Sequence, residues 1–275
     1  MLAIGVVSGL IGSLSGLGGG VVLIPVLTLL MNVPIEYAAG ASIISTIATS
    51  SGAASAYVKD RLANIKIGMS LEIATTIGAI VGSLVAASIY LKHLGSLIFV
   101  LFGIVLLFSL YPTFNGLRKR GSAKMNSDWT TGFFQLSGSY YDEARKETVR
   151  YSGYRWWLGE CVMAVAGLIS GLLGIGSGAL KVIGMDWGMK LPIKVTTSTS
   201  NFMIGVTAAA SSAVYWSLGY IQPLLIAPII IGILIGSYYG SKALPSIEGK
   251  NIRLLFLSIL FLLGIEMILR GIGVA

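Results

Sequence analysis

The chain has 275 residues, of which 55% are hydrophobic and only 11% are charged. Soluble domains carry about 25% charged residues, and a water-soluble chain of this length cannot bury so much apolar surface. One cysteine, Cys161, and one histidine, His93, exclude a disulfide framework and a Cys/His metal site. The net charge of +8 comes from basic residues between apolar blocks, as in membrane-protein loops. We therefore predict an all-α integral membrane protein in a lipid bilayer, with no cofactor and no nucleic-acid partner.

Apolar blocks, most of them long enough to cross a bilayer as a helix, follow one another along the chain. In the first half they cover residues 2–31, 37–58, 68–91 and 94–110, and in the second half 156–188, 195–218, 223–244 and 252–272. A polar stretch separates the halves, and its alternating aromatic residues predict a small β-hairpin. The predicted parts are a first transmembrane repeat at residues 1–110, a connecting loop at 111–156 and a second transmembrane repeat at 157–275.

The two halves of the sequence repeat each other at one constant offset. Pro34 and Pro192 lie 158 residues apart, and the same offset pairs Ser42 with Ser200 without a gap. It also aligns two glycine pairs that are typical of helix contacts, Gly78 and Gly82 with Gly236 and Gly240. A single gapless register along so much of each half predicts an internal duplication.

The distribution of basic residues predicts how the halves lie in the membrane. If the first and fifth blocks enter and leave on the same face, almost all of the 19 Lys and Arg residues fall on one side. Counting every block as a single crossing gives a much weaker asymmetry. We therefore predict two inverted repeats, each with a glycine-broken re-entrant helix plus three spanning helices. Both termini lie outside a prokaryotic-type cell membrane in this topology, and the central loop is cytoplasmic.

Glycine clusters break the first and fifth blocks at matching positions. A break at membrane depth frees backbone N–H groups, which must face protein or a wet cavity because lipid cannot satisfy them. The helix that restarts after each break offers N–H donors and a positive dipole end, which favour an anion. Tight helix packing is the alternative interpretation. The predicted binding residues at the two breaks are Gly18, Gly19 and Gly20, and Gly176, Ser177 and Gly178.

Hydroxyl and amide side chains are dense at the start of the second and sixth blocks. Several such donors suit the oxygens of an oxyanion, although interhelical hydrogen bonding would use the same residue types. The predicted substrate-binding side chains are Ser42 in the first half and Thr197, Ser198, Ser200 and Asn201 in the second.

Charged residues inside apolar blocks are functional candidates, because burial in the membrane is costly. Lys181 follows the second glycine break and could supply a fixed positive charge to an anion. Pairing with Asp186, or snorkelling to the interface, is the alternative. Glu72 is a candidate proton carrier, so that H⁺ is the predicted coupling ion.

Several motifs in both halves resemble one known family. Residues 16–25 (GLGGGVVLIP), followed by Pro34 and residues 39–42 (AGAS), are similar to the first half of the TauE/SafE family of sulfite exporters. Residues 171–178 (GLLGIGSG) and 197–205 (TSTSNFMIG) resemble its second half. The resemblance implies a membrane transporter of sulfur-containing anions, such as sulfite or organosulfonates.

Taken with the predicted site, the resemblance favours a secondary transporter, expected to be an exporter, of a small sulfur-containing oxyanion such as sulfite or sulfoacetate. Alternating access would carry the anion past a site between the two repeats. The chain has no nucleotide-binding P-loop motif, and an enzymatic activity is not expected. Two alternatives stay open: a passive anion channel, and a scaffold subunit of a sulfur-metabolising complex.

Overall fold

The structure, a computed structural model, describes residues 1–91, 95–111, 114, 128–176 and 178–273. His93 and the candidate residue Ser177 therefore lie outside the described residues. In the first half the helices are α1 (Leu2–Ser15), α2 (Gly20–Pro25), α3 (Ile35–Lys59), α4 (Ile65–Leu91) and α5 (Gly95–Phe108). The central segment contains α6 (Trp129–Phe133), β1 (Ser137–Asp142) and β2 (Glu147–Ser152). The second half has α7 (Trp156–Leu173), α8 (Gly178–Ile183), α9 (Ile193–Ser217), α10 (Pro223–Ala243) and α11 (Gly249–Gly271).

The two halves place their breaks and helix starts at equivalent residues. Helix α1 ends where Gly16 takes a left-handed conformation with φ 76°, and α7 ends at Gly174 with φ 71°. Helices α2 and α8 each continue into one π-helical turn, Val26–Leu30 and Gly184–Gly188. Pro34 and Pro192, both extended, then precede α3 and α9.

The chain reverses direction between α1 and α2. A methyl group on Gly19 would lie 3.3 Å from the carbonyl oxygen of Ser8. In a continuous helix these two residues would be about 16 Å apart along the axis. Helix α2 therefore folds back beside α1 instead of extending it.

Helices α3 and α9, which are equivalent in the repeat, pack against each other in opposite directions. The start of α3 meets the end of α9, because a methyl group on Gly40 would overlap the carbonyl oxygen of Tyr220. The loop after α3 meets the start of α9, where the amide of Asn64 donates to Thr199 Oγ1 at 3.0 Å. Near the middle, Ser50 Oγ donates to the carbonyl of Phe202 at 3.3 Å.

Close helix contacts join the halves through the glycine pairs, as the sequence predicted. In the contact of α4 with α7, a methyl on Gly78 would overlap the carbonyl of Ala164. In the contact of α1 with α10, a methyl on Gly236 would overlap the carbonyl of Val6. These glycines therefore let backbones approach to a distance that no side chain permits.

Four helices of the described residues are long and apolar enough to cross a membrane. They are Ile65–Leu91, Trp156–Leu173, Pro223–Ser246 and Gly249–Gly271. Helices α3 and α9 have the same length range, but hydroxyl-bearing residues lower their hydropathy. The chain is thus mostly helical, with apolar helices that suit a multi-pass membrane protein.

The central segment forms a small module that docks on the helices where α9 begins. Strands β1 and β2 pair antiparallel, with Tyr140 opposite Val149. The buried ammonium of Lys194, in the first turn of α9, donates to Asp142 Oδ1 at 2.9 Å and to the carbonyl of Pro245 at 2.7 Å. Asn64 Nδ2 also donates to the Tyr151 hydroxyl at 3.1 Å. The hairpin is therefore fixed to the helices rather than free in solvent.

Candidate functional site

The two glycine breaks meet in the interior of the molecule. A methyl group on Gly178 would overlap the carbonyl of Gly16 and lie 2.5 Å from Leu17 Cα. A methyl on Gly16 would come within 2.9 Å of the Cα of Thr197. Backbone from both halves therefore converges, as the predicted site requires.

Thr46 of α3 lies between the two breaks, although it was not among the predicted binding residues. Gly18 and Gly176 both take left-handed conformations, with φ 77° and 73°. Methyl groups on them would lie 3.1 Å and 2.5 Å from Thr46 Cγ2. The Thr46 hydroxyl donates to the carbonyl of Ser42 at 2.9 Å. The hydroxyl density of the second block was the sequence signal for Thr46, but it did not single this residue out.

Ser200 and Asn201 of α9 bind the free carbonyl groups of the breaks. Ser200 Oγ donates to Gly16 O at 2.8 Å and lies 3.4 Å from Gly178 O. Asn201 Nδ2 donates to the carbonyl of Ser13 at 2.6 Å. These two predicted residues therefore hold the first break against α9 and donate to carbonyl oxygens that lack a partner within the helix at its C-terminal end.

Four buried polar atoms on α3 and α9, the helices that pack against α2 and α8, have no hydrogen-bond partner among the described residues. They are Ser42 Oγ, Ser45 Oγ, Thr197 Oγ1 and Asn201 Oδ1. All four side chains are fully buried, with 0% exposure. Buried polar groups in folded proteins almost always have partners, so each exception needs an explanation. A polar ligand at the breaks would provide one.

Other predicted residues use their hydrogen-bonding groups in bonds within the protein. The amide of Gly19 donates to Thr49 Oγ1 at 3.1 Å. Ser198 Oγ donates to the carbonyl of Lys194 at 2.7 Å, within its own helix. By contrast, Gly20 lies against Ser42, because a methyl on Gly20 would overlap Ser42 Oγ. At the first break, the Ser42 hydroxyl therefore lies beside the first residue of α2.

Helix termini add to the electrostatics of the site. The first N–H groups of α2, from Gly20, and of α8, from Gly178, have no acceptor within their own helices. Each such end carries a partial positive charge. In the described part of the chain, no cluster of three His, Cys, Asp or Glu side chains could hold a metal ion. The arrangement offers hydrogen-bond donors and positive dipole ends.

Lys181 and Glu72, the two charged candidates, lie together. Lys181 Nζ is 3.3 Å from Glu72 Oε2 and also contacts the hydroxyl of Thr207. Thr207 Oγ1 donates to Glu72 Oε1 at 2.5 Å. The alternative partner considered for Lys181, Asp186, binds the guanidinium of Arg253 with both carboxylate oxygens. Thr207 lies 26 residues from Lys181 and 135 from Glu72 along the chain, so no local pattern indicated its contact with them.

The chain is similar to known proteins over almost its whole length. The family described as sulfite exporter TauE/SafE matches residues 1–267. The probable membrane transporter protein YunE of Bacillus subtilis is 27% identical over 279 residues, covering 99% of this chain and 97% of that protein. The probable membrane transporter protein YdhB of the same organism is 25% identical, covering 88% of this chain and 86% of that protein.

A third relative, a probable membrane transporter protein of Methanocaldococcus jannaschii, is 23% identical and covers 98% of this chain and 94% of its own length. No solved structure matches the chain significantly. The family match extends over both glycine breaks and over the helices that surround them. The chain therefore belongs to the sulfite exporter TauE/SafE family, whose curated relatives are probable membrane transporters.

Proposed function

We propose that the chain is a secondary transporter, acting as an exporter, of a small sulfur-containing oxyanion such as sulfite or an organosulfonate. The family description names sulfite export, and the relatives are named as probable membrane transporters. Sulfoacetate is one organosulfonate of this class. The anion moves by alternating access past a site between the two halves.

One observation carries the proposal: polar atoms that are fully buried and have no partner among the described residues lie on α3 and α9, which pack against the two breaks. A sulfite or sulfonate group has three oxygens that accept hydrogen bonds. Ser42 Oγ and Thr197 Oγ1 can donate to them, and the helix starts at Gly20 and Gly178 add N–H donors. Glycine at the breaks permits close contact between the anion and the backbone.

The transport cycle rests on an inverted repeat, which we propose for the two halves. Three contacts between α3 and α9 support it, because equivalent helices that run in opposite directions are expected of an inverted repeat. Many secondary transporters place their substrate between such repeats, at broken helices. Rocking one half against the other would then open the site to each side in turn.

The orientation follows from the basic residues and is also part of the proposal. In a prokaryotic-type inner membrane, both termini lie outside and the central segment with its hairpin is cytoplasmic. The site is fully buried in the described conformation, since Ser42, Thr197, Ser200 and Asn201 have 0% exposure. This corresponds to an occluded step of the cycle.

Anion flux into proteoliposomes tests the proposal that the chain is a transporter. We expect uptake of labelled sulfoacetate or sulfite to saturate, and unlabelled anion on the opposite side to accelerate it. Sulfate and acetate serve as competitors that define selectivity. Uptake that neither saturates nor responds to anion on the far side would indicate a channel. Folded protein without flux would instead indicate a scaffold.

Single substitutions test the location of the site. Ser42→Ala and Thr197→Ala remove donors without partners and should weaken anion binding about tenfold or more, since a hydrogen bond to a charged group contributes about 1.5–3 kcal/mol. Ser51→Ala and Ser212→Ala are matched controls in α3 and α9. Their exposed hydroxyls bond only to carbonyls of their own helices. Equal affinity in all four variants would contradict the proposed location.

A further inference from the structure

Three side chains from three helices form a closed group beside the second break. Glu72 comes from α4, Lys181 from α8 and Thr207 from α9. The Thr207 hydroxyl touches both charged groups, and Thr76 Oγ1 adds a 3.3 Å hydrogen bond to Glu72. The side chain of Lys181 is 0% exposed and that of Glu72 only 12% exposed.

The net charge of this group restricts what it can do. A buried ammonium is costly unless a negative partner compensates it, and Glu72 is that partner here. The pair is neutral as a whole. An anion entering beside it would add an uncompensated negative charge, unless one member of the pair changed its state.

The duplicated scaffold does not require this ion pair. At the equivalent positions of the repeat, Leu23 replaces Lys181 and Ile230 replaces Glu72. The position of Thr207 is also threonine in the first half, where Thr49 accepts a hydrogen bond from the amide of Gly19. Thr207 instead bridges the two charged groups. If the ion pair were needed to stabilise the fold, both halves would be expected to contain it. Its presence in one half is better explained by a function of that half.

We propose that anion and proton bind together by an exchange of partners at Lys181, which rests on the proposed transport function. Glu72 takes up one proton and becomes a neutral carboxylic acid. The Lys181 ammonium keeps its own proton, leaves Glu72 and pairs with the anion. Before binding, the charges of Glu72 and Lys181 cancel; afterwards the charges of Lys181 and a monovalent anion cancel.

Position and reach favour this exchange. Lys181 follows Gly178, the first residue of α8, by three residues, which is about 4.5 Å along a helix. Its flexible four-carbon stem lets the ammonium turn from Glu72 toward the break. Thr207 is a positioning residue: its hydroxyl holds the carboxylate and the ammonium together while the anion is absent.

Other ionisable groups lie on the helices packed around this group, and one of them, Glu160, has a buried Oε2 with no hydrogen-bond partner among the described residues. On α7, Glu160 lies beside α4, where it bonds the backbone of Ala74, and Cys161 is exposed. On α9, Lys194 is paired with Asp142, and beyond α8 Asp186 is paired with Arg253. Glu160 is therefore the carboxyl group that the test must separate from Glu72.

Calorimetry on the purified full chain measures how many protons are taken up for each anion bound. The probe is methanesulfonate, a sulfonate with a single fixed charge, titrated in two buffers of different ionisation enthalpy at several pH values. We expect an uptake approaching one proton per anion, with affinity falling by up to about tenfold per pH unit as pH rises. Glu160→Gln should behave as the wild type.

Two variants locate the exchange. Lys181→Gln should lose at least about tenfold in affinity, and the double variant Glu72→Gln/Lys181→Gln should bind the probe weakly with no proton uptake. Wild-type binding without proton uptake would overturn the exchange and leave the transport proposal standing, even if neither variant folds. Uptake that persists in the folded double variant would also overturn it, because neither Glu72 nor Lys181 is then present to take up a proton. Folded wild type that binds none of methanesulfonate, sulfite and sulfoacetate would overturn both proposals.

Discussion

Tyr57 donates its hydroxyl hydrogen bond to the carbonyl of Ser13 at 2.7 Å, tying the end of α3 to the last turn of α1. The equivalent Tyr215 donates to the carbonyl of Gly171 at 3.0 Å. The two carbonyls differ in one respect, because Ser13 O also accepts from Asn201, whose equivalent in the first half is Ile43.

Replacing the two tyrosines by phenylalanine should therefore have unequal effects. Tyr57→Phe leaves Ser13 O with the Asn201 donor and should cost about 1 kcal/mol. Tyr215→Phe removes the side-chain donor of Gly171 O and should cost about 1–3 kcal/mol. Thermal unfolding of both variants in detergent measures the difference. A larger loss for Tyr57→Phe would contradict the assigned contacts.

Alanine at the glycines of the breaks should be destabilising in a graded way. The methyl of Gly19→Ala would lie 2.8 Å from the Thr49 hydroxyl, a side chain that can shift, and no closer than 3.3 Å to the backbone of Ser8, so a cost of about 1–3 kcal/mol is expected. The methyl of Gly178→Ala meets the backbone of Gly16 and Leu17, which cannot, so little folded protein should be recovered. Gly132→Ala, with open space around it, is the control. Size-exclusion profiles and melting curves compare the three variants.

The break positions and the helices beside them were open to prediction because local chemistry determines them. Pro34 and Pro192 set the starts of α3 and α9, and Gly16 and Gly174 end the preceding helices by adopting positive φ. Such signals are local in sequence, so a gapless offset recovers them in both halves. The convergence of the two breaks is what an inverted repeat, the arrangement proposed for the two halves, would produce.

Contacts between distant segments were not predictable in the same way. Lys181 and Glu72 are 109 residues apart, and no periodicity relates them. Lys194 was grouped with the loop cations, yet the structure buries it under the hairpin. In both cases the partner belongs to another helix or strand, so only the packed arrangement identifies it.

The ion pair between Lys194 and Asp142 should be the main contact that holds the hairpin against the helices. Removing one partner leaves a buried charge, so Lys194→Met or Asp142→Asn should each cost about 3–5 kcal/mol of docking energy. The double variant should recover part of this loss. Arg145→Ala, which breaks a largely exposed pair with Glu147, should cost under about 1 kcal/mol. Hydrogen exchange of β1 and β2 reports docking; unchanged exchange in Lys194→Met would refute the assignment.

Asp128 should make the module around α6 sensitive to acid. Burial alone would raise the pKa of Asp128, but hydrogen bonds from Thr130, Thr131 and the amide of Arg155 outweigh it and lower the pKa to about 2. Because the pKa is lowered, the ionised Asp128 stabilises the folded form at pH values above about 4, the ordinary pKa of a carboxyl group. This stabilisation is lost as pH falls from about 4 through 2.

Hydrogen exchange of residues 128–155 between these pH values measures the effect. Asp128→Asn should raise exchange already at neutral pH, because the amide replaces a charged acceptor at the helix N-cap. It should also remove the acid-dependent step. A step of the same size in wild type and variant would assign it to another group.

Single cysteines should report the membrane orientation. In a Cys161→Ala background, Glu36→Cys and Gln222→Cys should react with an impermeant maleimide from one side of the membrane. Arg145→Cys, in the hairpin turn, should react from the other side. The contact between Gly40 and Tyr220 already requires positions 36 and 222 to share a face. Labelling of all three from one side would exclude the inverted topology.

The single ion pair beside the second break and the hairpin docked on one face make the halves unequal. In a transporter whose two halves were identical, the conformation open to one side would be equivalent to the conformation open to the other. The two conformations would then have equal free energy. Residues that the halves do not share remove this degeneracy. Under the proposed transport cycle, the ion pairs Lys181–Glu72 and Lys194–Asp142 would therefore favour one of the two conformations. A change at the hairpin should then alter which side is open at rest, although it touches no residue at the glycine breaks.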